Sequence, residues 1–501
     1  QLIQPVLATT QNPLNIGVVG GGIGGLTAAL CLARAGHHVE IFEQTEACVA
    51  TGAGIQISPN ASRVLHQLGL QGALMTSGFL PKATQMRSWR SGRVISETAL
   101  GDAAVERYGA PYYHIHRGDL INMLVSAMAE EPNITLRFSS GVTGFDQDAS
   151  GVRLVAGEHE HQVDLLIGAD GIHSAVRAGL WGDQQADFTG NVAWRMLVPV
   201  NRLPEGLIAP NATVWWGPGK HTVHYTVNGG DYVNCVCVVE KAGWQPESWV
   251  EAGSMVELRA DFAGWHDSIQ QLLAQADAGS LFKWGLFDRA PMRSWGIDRV
   301  SLLGDACHPT LPFMAQGAAM AIEDAVVLTN CLSSGADVIT ALQHYEDLRK
   351  GRTAGVQRGS RRNATVFHLS GLKAWVRDRA ASQAGKHSMG RLSGYDPLIV
   401  GLDAAPNDCR HMGTVGCDSV GRSGFARAES GLGAAWLAVG RTGCRFDDCC
   451  CSRARCLALR HGRGVWRGDC FDSHRLGDAC HPTLPFMAQG AAMAIEDAVV
   501  L

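Results

Sequence analysis

Residues 15–26 read NIGVVGGGIGGL, a short apolar strand that runs into a glycine-rich turn. A helical run and a second apolar strand over residues 38–42 follow, so the segment has the order strand, helix, strand. In such a segment Gly20 is suited to the tight turn, Gly22 to the approach of a pyrophosphate, and Gly25 to close packing of helix on strand. The pattern predicts a Rossmann-like dinucleotide-binding fold and leaves NAD and FAD both open.

Glu43 ends the second strand, 18 residues after Gly25. A carboxylate at this point can accept hydrogen bonds from two ribose hydroxyls and would repel a 2′-phosphate. We therefore expect Glu43 to hold the adenosine ribose of the dinucleotide.

Composition and charge narrow the class of protein. The chain has 501 residues, 46% of them apolar, and a net charge of −5, which gives no electrostatic basis for binding nucleic acid or an anionic membrane. No apolar run is long enough for a membrane span, and residues 1–13 lack the pattern of a signal peptide. Six scattered cysteines among residues 1–397 suggest no disulfide framework. We expect a cytoplasmic enzyme.

Two further motifs bear on the nucleotide. Residues 164–177, DLLIGADGIHSAVR, predict a strand, a turn and a helix, in which Asp170 either contacts the nucleotide or caps the helix. In LGDACHPTLPFMAQGAAMAIEDAVVL, residues 303–328, Asp305 can bind ribityl or ribose hydroxyls, and Gly317 and Ala318 open a helix. The N-terminus of that helix would favour a negatively charged ring such as a reduced flavin. Three motifs in this order, with a single glycine fingerprint, favour FAD.

These motifs, with GAGI at 52–55 and HIHRGDL at 114–120, resemble those of the single-component FAD-dependent aromatic hydroxylases. The likeness is greatest to salicylate hydroxylase-like and 6-hydroxynicotinate or 3-hydroxybenzoate hydroxylase-like members, and extends from about residue 15 to 397. The resemblance implies an α/β fold in which a three-layer FAD-binding domain is interleaved with a mostly antiparallel substrate-binding sheet, followed by C-terminal helices. It also implies that Arg117 contacts FAD.

The expected division of the chain follows from this resemblance. The FAD-binding domain with the C-terminal helices would comprise residues 14–80, 108–182 and 286–397. The substrate-binding sheet would comprise residues 81–107 and 183–285.

The catalytic candidates come from the sheet and from the Gly-Asp loop. Residues 221–227 read HTVHYTV, and a strand there places His221 and Tyr225 on one face and His224 on the other. The resemblance implies that His221 and Tyr225 contact a phenolic substrate, with His221 as base; the alternative is that both face solvent at a sheet edge. His308 would either hold the substrate or brace its loop.

The sequence thus predicts an oxidoreductase that uses FAD, NADH or NADPH, and O₂ to hydroxylate a phenolic or heteroaromatic acid through a flavin C4a-hydroperoxide, without a metal. Two alternatives remain: a flavin oxidoreductase that inserts no oxygen, and a non-catalytic chimeric product. The substrate and the oligomeric state are left open. The predicted cofactor-binding residues are Gly20, Gly22, Gly25, Glu43, Arg117, Asp170, Asp305, Gly317 and Ala318.

The C-terminal part has a different character. Residues 398–475 are rich in Cys, Arg and Gly without hydrophobic periodicity, and their cysteine spacings do not suit a zinc module. An irregular, poorly folded or out-of-frame extension is the preferred interpretation. Residues 476–501 repeat residues 303–328 in all 26 positions but lack a second glycine fingerprint, so we expect this copy not to bind FAD.

Overall fold

The computed structural model describes residues 12–47, 54–241, 253–384 and 390–402, together with residues 10 and 243. The sequence predictions for residues 403–475 and for the duplicate at 476–501 lie outside these ranges.

Eighteen strands are present in the described part of the chain. They are β1 (Asn15–Val19), β2 (His38–Phe42), β3 (Gly54–Ile57), β4 (Ala83–Ser88), β5 (Val94–Ala99), β6 (Tyr113–His116), β7 (Ile134–Arg137), β8 (Val142–Asp148), β9 (Gly151–Ala156), β10 (His159–Val163), β11 (Leu165–Gly168), β12 (Asp187–Pro199), β13 (Ala212–Gly217), β14 (Lys220–Val227), β15 (Tyr232–Glu240), β16 (Phe282–Asp288), β17 (Gly296–Ile297) and β18 (Val300–Leu302).

Twelve α-helices accompany them in the same ranges. They are α1 (Ile23–Arg34), α2 (Pro59–Gln67), α3 (Gln71–Ser77), α4 (Asp102–Tyr108), α5 (Arg117–Met128), α6 (Ala175–Trp181), α7 (Met255–Asp261), α8 (Asp267–Ala274), α9 (Gly317–Leu332), α10 (Val338–Phe367), α11 (Gly371–Ala384) and α12 (Gly390–Ser393). No helix of the described residues is long and apolar enough to cross a membrane.

A six-stranded sheet forms the centre of the nucleotide-binding part, in the order β17-β18-β11-β1-β2-β7. Its pairs are parallel except for β17 with β18. Apolar side chains from this sheet, from α1, α5 and α9, and from the small β10-β9-β8 sheet share one core. Strands buried on both faces need cover on both sides, and here helices and the small sheet provide it. The predicted βαβ unit and the three-layer arrangement are confirmed.

A seven-stranded sheet forms the second part, in the order β16-β12-β15-β14-β13-β4-β5. Only the β13–β4 pair is parallel. One face packs on α7 and α8, with Trp194 and Trp215 in that core, and the other face packs on Leu311, Phe313 and Phe367. The expected mostly antiparallel sheet is confirmed.

The C-terminal helices pack on both parts: α9 and the first half of α10 contact the nucleotide-binding core, whereas Phe367 of α10 and Ala381 of α11 lie against the seven-stranded sheet. The Asn330 side chain donates to the carbonyl groups of Leu398 and Val400, and Leu398 is buried. Contacts with the core therefore continue a few residues beyond Pro397.

Candidate active site

The glycine loop has the shape that a bound pyrophosphate requires. Gly20 adopts a φ of +107°, and a Cβ there would lie 2.5 Å from the carbonyl oxygen of Ala169. A Cβ on Gly25 would lie 2.0 Å from the carbonyl oxygen of Gly20. A Cβ on Gly22 would meet no described atom within 4 Å, and no side chain caps α1 at this residue. Two glycines thus serve close packing, and the third leaves open space at the free N–H groups of a helix.

Glu43 lies at the carboxyl end of β2, directly beside the glycine loop. Its Oε2 accepts the Gly21 N–H at 2.6 Å, and its Oε1 accepts from the N–H and hydroxyl of Thr45 at 2.9 and 2.8 Å. In this conformation the carboxylate supports the loop. The predicted contact of Glu43 with a ribose is compatible with this position and stays a prediction.

One carboxylate oxygen of Asp170 caps the start of α6, and the other has no hydrogen-bond partner among the described residues. Oδ2 accepts the Val176 N–H at 3.1 Å at the start of α6, whereas Oδ1 is buried without a hydrogen-bond partner among the described residues. Burial raises the pKa of this carboxyl group, and the Ser174 side chain and backbone N–H groups oppose the rise. A buried acceptor left open beside the glycine loop suits a hydroxyl donor from a ligand.

Asp305 and the start of α9 are neighbours. A Cβ on Gly317 would lie 4.0 Å from Asp305 Oδ1. The Asp305 side chain is solvent-accessible although its neighbours Gly304 and Ala306 are buried. The surrounding protein limits its hydration and raises its pKa, the neighbouring Asp324 carboxylate adds to the rise, and His308 and Arg117 oppose it. An accessible carboxylate beside the start of α9 can accept hydrogen bonds from hydroxyl groups of a ligand.

No side chain caps the N-terminus of α9, so the N–H groups of its first turn, including those of Gly317 and Ala318, lack an intrahelical partner. The Gln316 side chain instead anchors this helix start, donating to Ser58 Oγ at 3.0 Å and accepting from Asn60 at 3.2 Å. Arg117, the first residue of α5, is exposed and acts electrostatically on both Asp305 and Arg195.

His308 braces the Gly-Asp loop. It is 1% exposed, and its Nε2 lies 2.5 Å from Asp324 Oδ2, which also accepts the Gly304 N–H at 3.0 Å. Burial alone would raise the pKa of Asp324, but His308 and Arg349 bring it down to about 2. Of the two alternatives for His308, the geometry supports bracing, because Asp324 joins the His308 ring to the Gly304 N–H of the same loop.

His221 and Tyr225 lie on one face of β14, and His224 lies on the other, where its Nε2 accepts from Trp215 Nε1 at 2.9 Å. The alternative of a solvent-facing sheet edge is wrong, since β14 is paired on both sides and the two residues are 1% and 5% exposed. The His221 ring contacts Phe313 and Phe367 edge-on. The Tyr225 hydroxyl donates to the Gly54 carbonyl oxygen at 2.6 Å.

Arg195 is a candidate site residue that none of the sequence motifs contains. It lies on β12 opposite Val236, which in turn pairs with Val223 of β14, so Arg195 shares the sheet face of His221 and Tyr225. Its guanidinium lies 4.9 Å from the centre of the Trp284 ring. Burial lowers the pKa of Arg195 to about 10, and nearby Tyr225 opposes the shift. A basic residue in an otherwise apolar stretch of sequence, AWRMLV at 193–198, is the local signal that marks this position.

The residues fit FAD. The open space at Gly22, the uncapped N-termini of α1 and α9, the unpartnered Asp170 oxygen and the accessible Asp305 carboxylate offer donors and acceptors for phosphate, hydroxyl and ring groups. They lie at the carboxyl ends of parallel strands and in the loops that follow them, where nucleotides bind in such sheets.

Comparison with known proteins agrees with this assignment. The family model described as an FAD binding domain matches residues 14–360. The chain is 39% identical over 401 residues to a 3-amino-4-hydroxybenzoate 2-monooxygenase of Streptomyces platensis, covering 79% of this chain and 98% of that protein. It is 38% identical over 358 residues to a 6-hydroxynicotinate 3-monooxygenase of Bordetella bronchiseptica, covering 70% and 92%.

A solved structure shows the same fold. Klebsiella pneumoniae HpxO complexed with FAD and uric acid aligns with a TM-score of 0.66 and 29% identity, over 74% of this chain and 93% of that chain. FAD is the cofactor of the family, and NAD(P)H is its usual reductant. The chain therefore belongs to the FAD-dependent aromatic monooxygenases, the hydroxylases of aromatic acids whose motifs its sequence carries.

Proposed function

We propose that this protein hydroxylates a phenolic or heteroaromatic ring that carries a carboxylate, with NADH or NADPH as reductant and O₂ as co-substrate. The observation that carries the proposal is one face of the seven-stranded sheet, where Arg195 and His221 flank an apolar strip formed by Val223 and Val236. Such a face offers a cation, a flat apolar surface and a titratable ring nitrogen to a single small molecule.

Each group has a distinct part in this account. The Arg195 guanidinium binds the substrate carboxylate through charge-assisted hydrogen bonds. The apolar strip and the Trp284 ring pack against the aromatic ring of the substrate. His221 accepts the phenolic proton, which makes the ring richer in electrons and more reactive toward an electrophilic oxygen.

The Gly-Asp loop and the start of α9 are the groups that would hold the flavin ring beside this face. Asp305 would bind hydroxyl groups of the cofactor, and the free N–H groups at Gly317 and Ala318 would favour negative charge on the ring. When bound and reduced, FAD supplies the electrons that activate O₂. Pro309 and Pro312 stiffen the loop, which helps to keep water out.

Two roles are considered for Tyr225, a substrate contact and a structural hydrogen bond. The resemblance assigns it a substrate contact, whereas its hydroxyl is committed to Gly54 in the structure. We propose that it mainly positions β3 against the sheet, and that its ring edge lies near the substrate.

The test is a panel of acids with matched analogues that lack the carboxylate. Salicylate, 3-hydroxybenzoate, 6-hydroxynicotinate and 3-amino-4-hydroxybenzoate would be compared with phenol, 2-hydroxypyridine and 2-aminophenol. NADH or NADPH consumption, hydrogen peroxide and ring-hydroxylated product would be measured together. We expect at least one acid to stimulate consumption with matching product, and its analogue to do so poorly.

Two outcomes would overturn the proposal. Nicotinamide oxidation that yields only hydrogen peroxide, or no product, with every acid would favour the flavin oxidoreductase that inserts no oxygen. Purified full-length protein without a flavin spectrum, even after incubation with FAD, would favour the non-catalytic alternative.

A further inference from the structure

A chain of three side chains leads from His221 to the protein surface. His221 Nδ1 lies 2.7 Å from His368 Nε2, and His368 Nδ1 lies 2.8 Å from Glu240 Oε1. Exposure rises along the chain: His221 is 1% exposed, His368 is 7% exposed, and the Glu240 side chain is 57% exposed. The chain thus connects a buried ring on the substrate-facing sheet surface with a carboxylate in contact with water.

The hydrogen-bond chemistry of these groups fixes their protons. A carboxylate only accepts, so His368 Nδ1 must carry a proton to donate to Glu240. In a neutral imidazole the other nitrogen is then an acceptor. His368 Nε2 therefore accepts a hydrogen bond from the N–H group at His221 Nδ1. His221 Nε2 is left with a free lone pair, which is the form that a base requires.

We propose that His368 and Glu240 are positioning and proton-transfer residues for His221, and that this chain carries the phenolic proton to solvent. The inference rests on the proposed function, because it needs a substrate that loses a proton to His221. The substrate O–H bond breaks as an N–H bond forms at His221 Nε2. The Nδ1 proton of His221 passes to His368 Nε2, the Nδ1 proton of His368 passes to Glu240, and Glu240 releases it to water.

Charged groups from several elements surround His368. Burial lowers its pKa, Glu240 opposes this, and Arg377 lowers it further. His368 also caps the C-terminus of α10, where the helix dipole favours positive charge, although Arg377 already donates to the carbonyl oxygens of Val366 and Phe367. The cleft that His368 lines contains further charged residues: Asp187 on β12, Lys241 after β15, Asp288 on β16, Arg361 on α10 and Lys373 on α11.

The buried surroundings of His221 disfavour a lasting positive charge on its ring. Burial, with a smaller contribution from His368, holds the pKa of His221 well below its usual value. A base that cannot keep a proton depends on a neighbour that takes it away. His368 lies in hydrogen-bond contact and meets that need.

The first test combines substitution with chemical rescue in the full-length holoenzyme. We expect His368→Ala to lower the rate of 3-hydroxybenzoate or 6-hydroxynicotinate hydroxylation roughly tenfold or more, without loss of bound FAD. Added imidazole should restore part of the rate, since it accepts at one nitrogen and donates at the other. 1-Methylimidazole fills similar space but has no N–H, and it should not restore the rate.

A second test needs no substrate. In protein labelled with ¹⁵N-histidine, the shifts of His221, assigned by comparison with His221→Gln, should show a protonated Nδ1 and an unprotonated Nε2. Glu240→Gln can donate to His368 and should disturb this tautomer, whereas Glu160→Gln, at an exposed position on β10, should not.

These outcomes test the hydrogen-bonded chain of His221, His368 and Glu240 separately from the proposed function. Absence of hydroxylated product from the wild type contradicts the proposed function and leaves the tautomer measurement to decide the chain. The chain itself is overturned if His221 Nε2 carries the proton, if His368→Ala hydroxylates at the wild-type rate, or if both imidazoles rescue equally.

Discussion

The Tyr225 hydroxyl donates a 2.6 Å hydrogen bond to the carbonyl oxygen of Gly54, and so ties the seven-stranded sheet to β3. The same glycine donates its N–H to Asn234 Oδ1 at 2.9 Å. A Cβ on Gly54 would lie 2.8 Å from the Tyr225 ring, so only glycine permits this approach. The relationship explains how the seven-stranded sheet is aligned with β3 and the nucleotide-binding part.

Tyr225→Phe should lower the free energy of unfolding by about 1–3 kcal/mol, because it leaves the buried Gly54 carbonyl group without its partner. Urea unfolding would measure the change, with Tyr232→Phe, at an exposed position, as control. If hydroxylation is lost while stability is unchanged, Tyr225 acts on the substrate rather than as an anchor.

Two glycine substitutions should separate the fold of the nucleotide loop from its function. In the FAD-free protein, Gly22→Ala should leave stability unchanged, since its Cβ meets no described atom within 4 Å. The same substitution should weaken FAD binding, because the Cβ fills the space for the pyrophosphate. Gly25→Ala should destabilise the fold itself, because its Cβ would overlap the Gly20 carbonyl oxygen. Thermal unfolding and FAD titration would measure both effects; equal FAD affinity of Gly22→Ala and the wild type would contradict the placement of the pyrophosphate.

Arg195→Gln should raise KM for an acid substrate by roughly 10- to 100-fold, the size expected for loss of a charge-assisted hydrogen bond. The rate with an uncharged phenol should change little, since it has no carboxylate to bind. Arg202→Gln, which removes a surface partner of Asp277, serves as control. An equal loss with charged and uncharged substrates would show that Arg195 supports the sheet and not the carboxylate.

The His308–Asp324–Arg349 cluster should make stability depend on acid pH. The pKa of Asp324 is about 2 in the fold, below its usual value near 3.9, so its stabilisation is complete above about pH 4 and is lost as pH falls toward 2. The shift corresponds to roughly 2–3 kcal/mol. Asp324→Asn should be destabilised near neutral pH, since it removes one of the two carboxylates paired with buried Arg349 and leaves Glu323. The variant should lose the part of the acid dependence that Asp324 contributes, while the part from Glu323 remains.

Urea unfolding between pH 2 and 7 would measure this dependence, with Asp277→Asn, an exposed surface residue, as the matched control. A variant at Asp324 that keeps the acid dependence of the wild type would contradict the assignment.

Local patterns predicted the nucleotide-binding part well. The spacing of Gly20, Gly22 and Gly25 specified β1, α1 and β2, because these glycines act within a single βαβ unit. Alternation along β14 likewise placed His221 and His224 on opposite faces.

Contacts between distant segments could not be read in the same way. His368 is 147 residues from His221, and Arg349 is 25 residues from Asp324, and nothing local marks either as a partner. The position of His308 in the Gly-Asp loop makes it a catalytic candidate in the sequence, whereas the direction of its ring is set by Asp324 on α9.

The central claim is that His221 is the base for hydroxylation of an aromatic acid beside FAD. Its most direct test is product formation by His221→Ala with an acid that the wild type hydroxylates, measured together with the bound-flavin spectrum. We expect the hydroxylation rate to fall at least about 100-fold while FAD remains bound, since a positioned base contributes about that much. A variant that hydroxylates the acid at the wild-type rate with FAD bound would contradict the claim.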